Sequence, residues 1–229
     1  MKRYIIANWK SHKTNETGKL WLDAFVQGYK GGLQTEIIVA PPMVSLDYVA
    51  NQIHLSGKKN ITVAAQDVSP FPLGSYTGAV AADLLKPFAK YVIIGHSERK
   101  RYFHETEQDI ANKLAESIDS GIIPIICIES VHFFARLVHL VDLQDNVFIV
   151  AYTPVDALNF SIPESPEKVS EAVAEIDQIF PGCAIVYGGA VTPENSAKYI
   201  STKGLSGLFV GSASLEVESF MKICAQAAG

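Results

Sequence analysis

Apolar segments and amphipathic segments alternate along the whole chain. Eight short runs are rich in β-branched and other apolar residues, and in the stretches between them apolar residues recur near the 3.6-residue period of a helix. The runs are continuous in their hydrophobicity, which is typical of parallel strands covered on both faces. They span residues 4–8, 37–40, 62–66, 91–95, 123–127, 147–151, 184–187 and 208–210.

Local signals mark where some of the helices begin. Ser165-Pro166-Glu167 and Thr192-Pro193-Glu194 each offer a hydroxyl for the N-cap, proline for the first helical position and an acid for the first turn. The fifth unit leaves room for only a short helix between its strand and the next. Eight strand–helix units without a linker predict an α/β fold, a (β/α)8 barrel forming a single domain over residues 1–229.

Composition narrows the class of partner. The net charge of -5 is spread along the chain without a Lys/Arg run, which argues against nucleic acid and anionic membranes as partners. The apolar runs are shorter than the roughly 20 residues of a membrane-spanning helix, and the N-terminus lacks a signal-peptide pattern. The three cysteines lack metal-ligand spacing. We therefore expect a cytoplasmic protein without a metal site.

In a barrel of this kind, chemistry is carried by residues that follow the strands at their carboxyl ends. Lys10 follows the first strand and offers the cation that a phosphate dianion needs. Gly188-Gly189 would let the backbone approach a ligand, and Gly211-Ser212 would open the last helix, whose N–H groups favour an anion. The other polar residues at such junctions include Asn8, Gln66, His96, Glu98, Glu129 and Thr153.

Several of these segments occur in the order found in triosephosphate isomerases, and the chain resembles that family from end to end. The resemblance rests on Asn8-Trp9-Lys10, Tyr76-Thr77-Gly78, Gly95-His96-Ser97-Glu98-Arg99, Ala151-Tyr152, Tyr187-Gly188-Gly189 and Val210-Gly211. It implies interconversion of dihydroxyacetone phosphate and glyceraldehyde 3-phosphate through an enediol, a step of glycolysis and gluconeogenesis that needs no cofactor and no metal.

The resemblance also implies roles for particular residues. His96 would polarise the carbonyl, Lys10 would offset negative charge, Asn8 would position the substrate, and Glu98 would act from beside the lysine. The alternatives to these roles are a core histidine at position 96, a solvated lysine at position 10 and a structural ion pair of Glu98 with Arg99 or a neighbour. Phosphate binding would involve Gly189, Ala190, Gly211 and Ser212, although the family usually has serine at position 190 and glycine at position 212.

One departure from the family bears directly on activity. Thr153 stands where the family has its catalytic glutamate, and a threonine hydroxyl without an activating base cannot take a proton from carbon near neutral pH. The lid that follows, residues 156–161, also lacks the family's glycines. We therefore expect isomerase activity to be weak or absent. Glu129, after the fifth strand, is a possible substitute base, and a solvated loop acid is the alternative.

Two other functions stay open. The first is a catalytically silent barrel that binds a small phosphorylated ligand or acts as a scaffold. The second, an isomerase or aldolase acting on a different sugar phosphate, is less favoured because the sequence shows no replacement Schiff-base lysine or metal cluster. The loop 69–78, which begins at Ser69 and ends at Gly78, keeps the long form that reaches into a partner subunit in this family. Its apolar tip, Pro70-Phe71-Pro72-Leu73, leads us to expect a homodimer.

Overall fold

A computed structural model describes residues 2–155, 157 and 162–228. It contains eight strands, each within two residues of its predicted bounds. The strands are β1 (Arg3–Asn8), β2 (Thr35–Ala40), β3 (Ile61–Ala65), β4 (Tyr91–Ile94), β5 (Ile123–Ile128), β6 (Ile149–Tyr152), β7 (Ala184–Tyr187) and β8 (Gly207–Val210).

The strands form one closed parallel barrel in sequence order. Ile5 of β1 pairs with Ile37 of β2 on one side and with Leu208 of β8 on the other, so the first and last strands close the sheet. The predicted (β/α)8 barrel is confirmed. All carboxyl ends of the strands therefore meet at one end of the barrel, which brings the candidate site residues to a common mouth.

Helices and short turns connect the strands. The helices are α1 (Asn15–Gly28), α2 (Leu46–Leu55), α3 (Ala82–Leu85), α4 (Ser97–Phe103), α5 (Glu107–Ser120), α6 (Val131–Leu137), α7 (Pro166–Ile179), α8 (Ser196–Ile200) and α9 (Val217–Ala228). Helix α6, in the fifth unit, has 7 residues, as short as predicted.

One of the two predicted helix starts is correct. The Ser165 hydroxyl accepts a hydrogen bond from the Lys168 amide and Pro166 is the first residue of α7. The start predicted at Thr192 is wrong, because α8 begins only at Ser196. The Asn195 side chain accepts a hydrogen bond from the Thr192 amide and donates one to the Ala190 carbonyl, which stabilises a turn in place of a first helical turn.

The core has two layers. Inside the barrel, side chains from alternating strand positions pack together, and a larger layer lies between the strands and the surrounding helices. The inner layer includes Ile6, Ile38, Ala64, Ile93, Ile125, Ala151, Val186 and Phe209. Because successive side chains of a strand point to opposite faces, Asn8 and Thr153, two residues after Ile6 and Ala151, face inward at the mouth.

Among the described residues, no helix is both long and apolar enough to cross a membrane. The cytoplasmic location stays a prediction.

Candidate active site

Lys10 is held at the mouth by hydrogen bonds to both its backbone amide and its backbone carbonyl. Its backbone has φ of 51°, a left-handed conformation that is uncommon for a residue with a side chain. The Asn8 side-chain oxygen accepts from the Lys10 amide at 3.0 Å, and the Gln66 side-chain amide donates to the Lys10 carbonyl at 2.9 Å. Gln66 also donates to the carbonyl of Ala40 at 2.8 Å. These contacts offset local strain of the kind found at functional sites.

Glu98 lies directly beside Lys10. The Lys10 ammonium and a Glu98 carboxylate oxygen are 2.5 Å apart, and both side chains are roughly a third or more exposed. Arg99 instead pairs with Asp67 and Glu105. Of the alternatives for Glu98, the structure therefore shows an ion pair with Lys10, which reduces the net positive charge that a ligand meets there.

His96 is buried at the start of α4 with one ring nitrogen already engaged. Its Nδ1 accepts a hydrogen bond from the Glu98 amide at 3.2 Å, so the neutral ring carries its proton on Nε2. Burial, opposed by the negative charge of Glu98 and assisted by the positive charge of Lys10, lowers the pKa of His96 to about 4. Near neutral pH the imidazole is therefore an uncharged hydrogen-bond donor.

Two cavities at the mouth share Lys10 as a lining residue. The first has a volume of about 490 Å³ and is lined by His96, Gly188, Ala190, Gly211 and Ser212, among others. The second has a volume of about 390 Å³, and its lining includes Glu98 and Glu129. Lys10 and His96, predicted from separate segments, thus face one cavity together with the backbone of the last two strand ends.

The glycine pair after β7 leaves no room for side chains. A Cβ atom at Gly188 would lie 2.7 Å from the Thr153 methyl group, and one at Gly189 would lie 2.2 Å from the Tyr187 hydroxyl oxygen. Ala190 follows in the left-handed region, with φ of 48°. The backbone is therefore packed closely against Thr153 and Tyr187 at this point, and Gly188 and Ala190 line the first cavity.

The segment that follows β8 differs from its predicted structure in one respect. Gly211 precedes a 3-10 helix of 3 residues, Ser212–Ser214, and α9 begins only at Val217. Gly211-Ser212 therefore opens a short 3-10 helix and not the last α-helix, so that part of the prediction is wrong, and anion binding at this point stays a prediction. What Gly211 and Ser212 offer the first cavity is their own backbone and the serine side chain.

Relatives of the chain match it along nearly its whole length. A sequence model of the triosephosphate isomerase family matches residues 3–227. The chain belongs to the triosephosphate isomerase family. It is 34% identical to a triosephosphate isomerase of Symbiobacterium thermophilum, over 98% of this chain and 96% of that protein. The same identity relates it to the enzyme of Gloeobacter violaceus, over 97% and 98% of the two chains, and 32% identity relates it to that of Coxiella burnetii, over 96% and 94%.

The Thr153 side chain is buried, and its hydroxyl is directed at the neighbouring strand. The side chain is 1% exposed, and its Oγ1 donates to the Ile128 carbonyl of β5 at 3.2 Å. Its methyl group packs against Gly188. In this member of the triosephosphate isomerase family, the side chain at position 153 therefore completes the barrel wall and presents no base to a ligand.

Glu129 is placed at the mouth but is already paired. Its Oε2 lies 3.0 Å from the ammonium of Lys100, which in turn sits over the ring of Phe133. Glu129 lines the second cavity with Lys10, and it is not part of the described lining of the first. Its role as a substitute base stays a prediction.

A cluster that the sequence reasoning missed anchors the chain after the lid. Glu164 is held through its amide by the Tyr187 hydroxyl, through its carbonyl by the Tyr199 hydroxyl and through its carboxylate by the Tyr152 hydroxyl, at 2.9, 2.6 and 2.8 Å. Neighbouring Pro163 lines the first cavity. Most of the predicted lid, positions 156 and 158–161, lies outside the described residues.

Within the described ranges, no group of three or more His, Cys, Asp or Glu side chains is arranged to hold a metal ion.

Proposed function

We propose that this chain interconverts dihydroxyacetone phosphate and glyceraldehyde 3-phosphate through an enediol, with weak turnover limited by proton abstraction. The observation that carries the proposal is the convergence of Lys10 and a neutral His96 on one cavity that Ala190, Gly211 and Ser212 also line. A phosphate would lie against the backbone of those three residues, and the triose carbonyl would lie near His96.

The chemistry divides into charge stabilisation and proton transfer. The Nε2–H of His96 would donate to the carbonyl oxygen as negative charge develops on it, and Lys10 would offset the charge of the enediolate and the phosphate. Thr153 supplies no base, because its hydroxyl donates to the Ile128 carbonyl. A positioned base contributes roughly 10² to 10⁴ in rate, or about 3 to 5 kcal/mol of barrier. The loss of the base therefore accounts for weak turnover without loss of binding.

A matched pair of substitutions tests this proposal. In a coupled assay with glyceraldehyde 3-phosphate, we expect Thr153→Glu to raise kcat/KM at least about tenfold, equivalent to roughly 1.4 kcal/mol. Thr153→Gln, of the same size but unable to take a proton, should give no gain. Equal rates for the two variants would contradict the proposal. Recovery should stay partial because the lid segment 156–161 differs from the family's.

A second candidate function is a silent barrel that binds a small phosphorylated ligand. It is favoured by the absence of any carboxylate among the described residues that line the first cavity. Binding of 2-phosphoglycolate without turnover in the unchanged chain and in both Thr153 variants would select this function.

We also propose a homodimer formed through the loop 69–78. Phe71, Leu73 and Tyr76 of this loop are each between 44% and 56% exposed, and the rings of Phe71 and Tyr76 stack on each other at 4.6 Å. Such an exposed group of apolar side chains is costly to leave in water. Light scattering at micromolar concentration should give twice the chain mass of 24.9 kDa. Leu73→Glu should lower it, and a monomeric mass for the unchanged chain would contradict the dimer.

A further inference from the structure

A third cavity lies at the opposite end of the barrel from the mouth. Its volume is about 560 Å³, and it is found where β3 and β4 begin, between the end of α2 and the segment that follows α3. Its described lining contains three lysines and a histidine and no carboxylate. These basic residues are His54, Lys58, Lys59 and Lys90. In a chain whose net charge is -5, such a one-sided lining marks a place where an anion meets an attractive potential.

Two of these lysines carry charges that no acid offsets. Within the described part of the chain, neither Lys58 nor Lys59 forms an ion pair. The backbone of Lys58 is fixed, because its amide donates to the Ser56 hydroxyl at 3.3 Å and its carbonyl accepts from the Ile61 amide at 3.3 Å. Lys58 is partly buried and Lys59 is exposed. Both ammonium groups are therefore available to a ligand.

Lys90 keeps part of its charge although it has a partner. Its ammonium lies 2.9 Å from a carboxylate oxygen of Glu36, and the same carboxylate also pairs with Lys2. Burial acts to raise the pKa of Glu36, but the hydrogen bonds donated by the two lysines and by Tyr91 outweigh it and lower the pKa, so the carboxylate is ionised near neutral pH. Two ammonium groups share one carboxylate, and the group therefore keeps a net positive charge beside the cavity.

The end of α2 offers little opposition to an anion. The carboxyl end of a helix carries partial negative charge on carbonyls that lack partners within the helix. Here the Ser56 amide donates to the Gln52 and Ile53 carbonyls, and the Ser56 hydroxyl donates to the Ile53 carbonyl at 2.6 Å. The Gly57 amide donates to the His54 carbonyl at 3.1 Å. These carbonyls are engaged by N–H and O–H groups, which reduces their repulsion of an anion in the cavity.

Another part of the lining is apolar and includes an exposed ring. Phe88 is 37% exposed, and it lines the cavity together with Pro87. The buried side chains of Ile53, Ile61 and Val63 belong to the same lining. A flat apolar group would remove this surface from water, and every nucleobase has a face that can stack on an aromatic ring. A ligand that uses the whole cavity therefore combines a flat ring with several negative charges.

We propose that the third cavity binds a nucleoside di- or triphosphate, with its base against Phe88 and its phosphates among the three lysines. Phosphate oxygens accept charge-assisted hydrogen bonds from ammonium groups, and these are stronger than bonds between neutral groups. A free polyphosphate would use only the cationic part of the cavity, and a nucleoside would use only the apolar part. The site is separate from the phosphate site proposed at the mouth, so the two proposals can fail independently.

Calorimetry on the purified full chain with ATP, adenosine and tripolyphosphate tests the proposal. At low ionic strength we expect one ATP per chain, bound at least about tenfold more tightly than either adenosine or tripolyphosphate. Saturating 2-phosphoglycolate should leave the ATP affinity unchanged, because its proposed site is at the mouth. Equal affinities for ATP and tripolyphosphate would overturn the nucleotide and leave a simple anion site. The proposal is also overturned if ATP does not bind or if 2-phosphoglycolate displaces it.

Matched variants locate the binding site even if the mouth binds no phosphate. Lys58→Gln/Lys59→Gln should weaken ATP binding at least about tenfold. Lys168→Gln/Lys198→Gln removes the same charge from exposed positions on α7 and α8 and should change the affinity by less than about threefold. Phe88→Leu removes the ring and should weaken ATP binding about fivefold or more, with tripolyphosphate binding unchanged. Equal losses in the two lysine variants would show only a general charge effect, and an unchanged ATP affinity in Phe88→Leu would overturn the placement of the base.

Discussion

The two sides of the mouth are built differently. On the side of β1, β3 and β4, Lys10 is held by Asn8 and Gln66, and His96 is held by the Glu98 amide. On the side of β5 and β6, the polar groups are directed elsewhere: Thr153 donates to the strand next to it and Glu129 pairs with Lys100.

This difference matters because the proposed charge stabilisation depends on several residues, whereas the proposed proton abstraction depends on one. Charge stabilisation arises from several groups fixed by hydrogen bonds between strands, and such preorganised groups need no rearrangement during reaction. Proton abstraction depends on one side chain with the right pKa and reach. Under the proposed function, a single residue at position 153 is therefore enough to limit proton abstraction, while the groups proposed for charge stabilisation stay in place.

The largest expected effect on ligand affinity comes from removing the Lys10 cation on the side of β1, β3 and β4. Lys10→Met keeps much of the apolar stem and removes the cation, and it should weaken 2-phosphoglycolate binding at least about 100-fold, or roughly 2.7 kcal/mol, by calorimetry at low salt. Lys100→Met is the matched control, since Lys100 is paired with Glu129 beside the second cavity. It should change the affinity by less than about threefold. Similar losses in both variants would mean that the lysines act only through the general field of the mouth.

The next largest effect is expected on the free energy of unfolding and its dependence on pH, through His96. Its folded pKa of about 4 lies below its ordinary value of 6.5, so the unfolded chain binds a proton that the folded chain does not. The stability is fully present above pH 6.5 and is lost as the pH falls from 6.5 towards 4. Between pH 7 and pH 5 we expect the free energy of unfolding to fall by about 2 kcal/mol more in the unchanged chain than in His96→Gln, by urea titration. Parallel pH profiles would contradict a buried neutral histidine.

The side of β1, β3 and β4 also shows which features the sequence could not predict. The strands were predictable because continuous β-branched runs identify them locally, and so were Lys10 and His96 as residues at strand ends. The bond from Gln66 to the Lys10 carbonyl joins residues 56 positions apart, and only the closed barrel brings them together. The helix start predicted at Thr192 is wrong because the Asn195 side chain accepts a hydrogen bond from the Thr192 amide and stabilises a turn there. The direction of the Thr153 hydroxyl likewise depends on the neighbouring strand.

Substitution of Gln66 should therefore have a smaller effect on ligand affinity, and it tests the hydrogen bonding that holds the Lys10 backbone. Gln66→Leu keeps the approximate size of the side chain and removes its bonds to the Lys10 and Ala40 carbonyls. With the left-handed backbone of Lys10 supported only from the Asn8 side, the ammonium should be less well positioned. We expect a loss of about tenfold in 2-phosphoglycolate affinity. Gln66→Glu is a useful comparison, since a carboxylate cannot donate to these carbonyls near neutral pH and should not restore the affinity. An affinity unchanged in Gln66→Leu would show that Asn8 alone holds Lys10.

The smallest effect is expected on the other side, at Glu129. Its carboxylate is within 3.0 Å of Lys100 and lines only the second of the two cavities at the mouth. Abstraction of a proton from carbon requires direct reach to the substrate, and the Glu129 carboxylate is engaged by the Lys100 ammonium instead. Glu129→Gln should therefore change any measurable isomerase activity by less than about twofold, and loss of this partly exposed ion pair should cost no more than about 1 kcal/mol of stability. The Glu129→Gln substitution should also leave the gain from Thr153→Glu intact in the double variant. If Glu129→Gln instead abolishes the starting activity while 2-phosphoglycolate still binds, the base comes from β5, and the mouth has replaced its missing glutamate from the neighbouring strand.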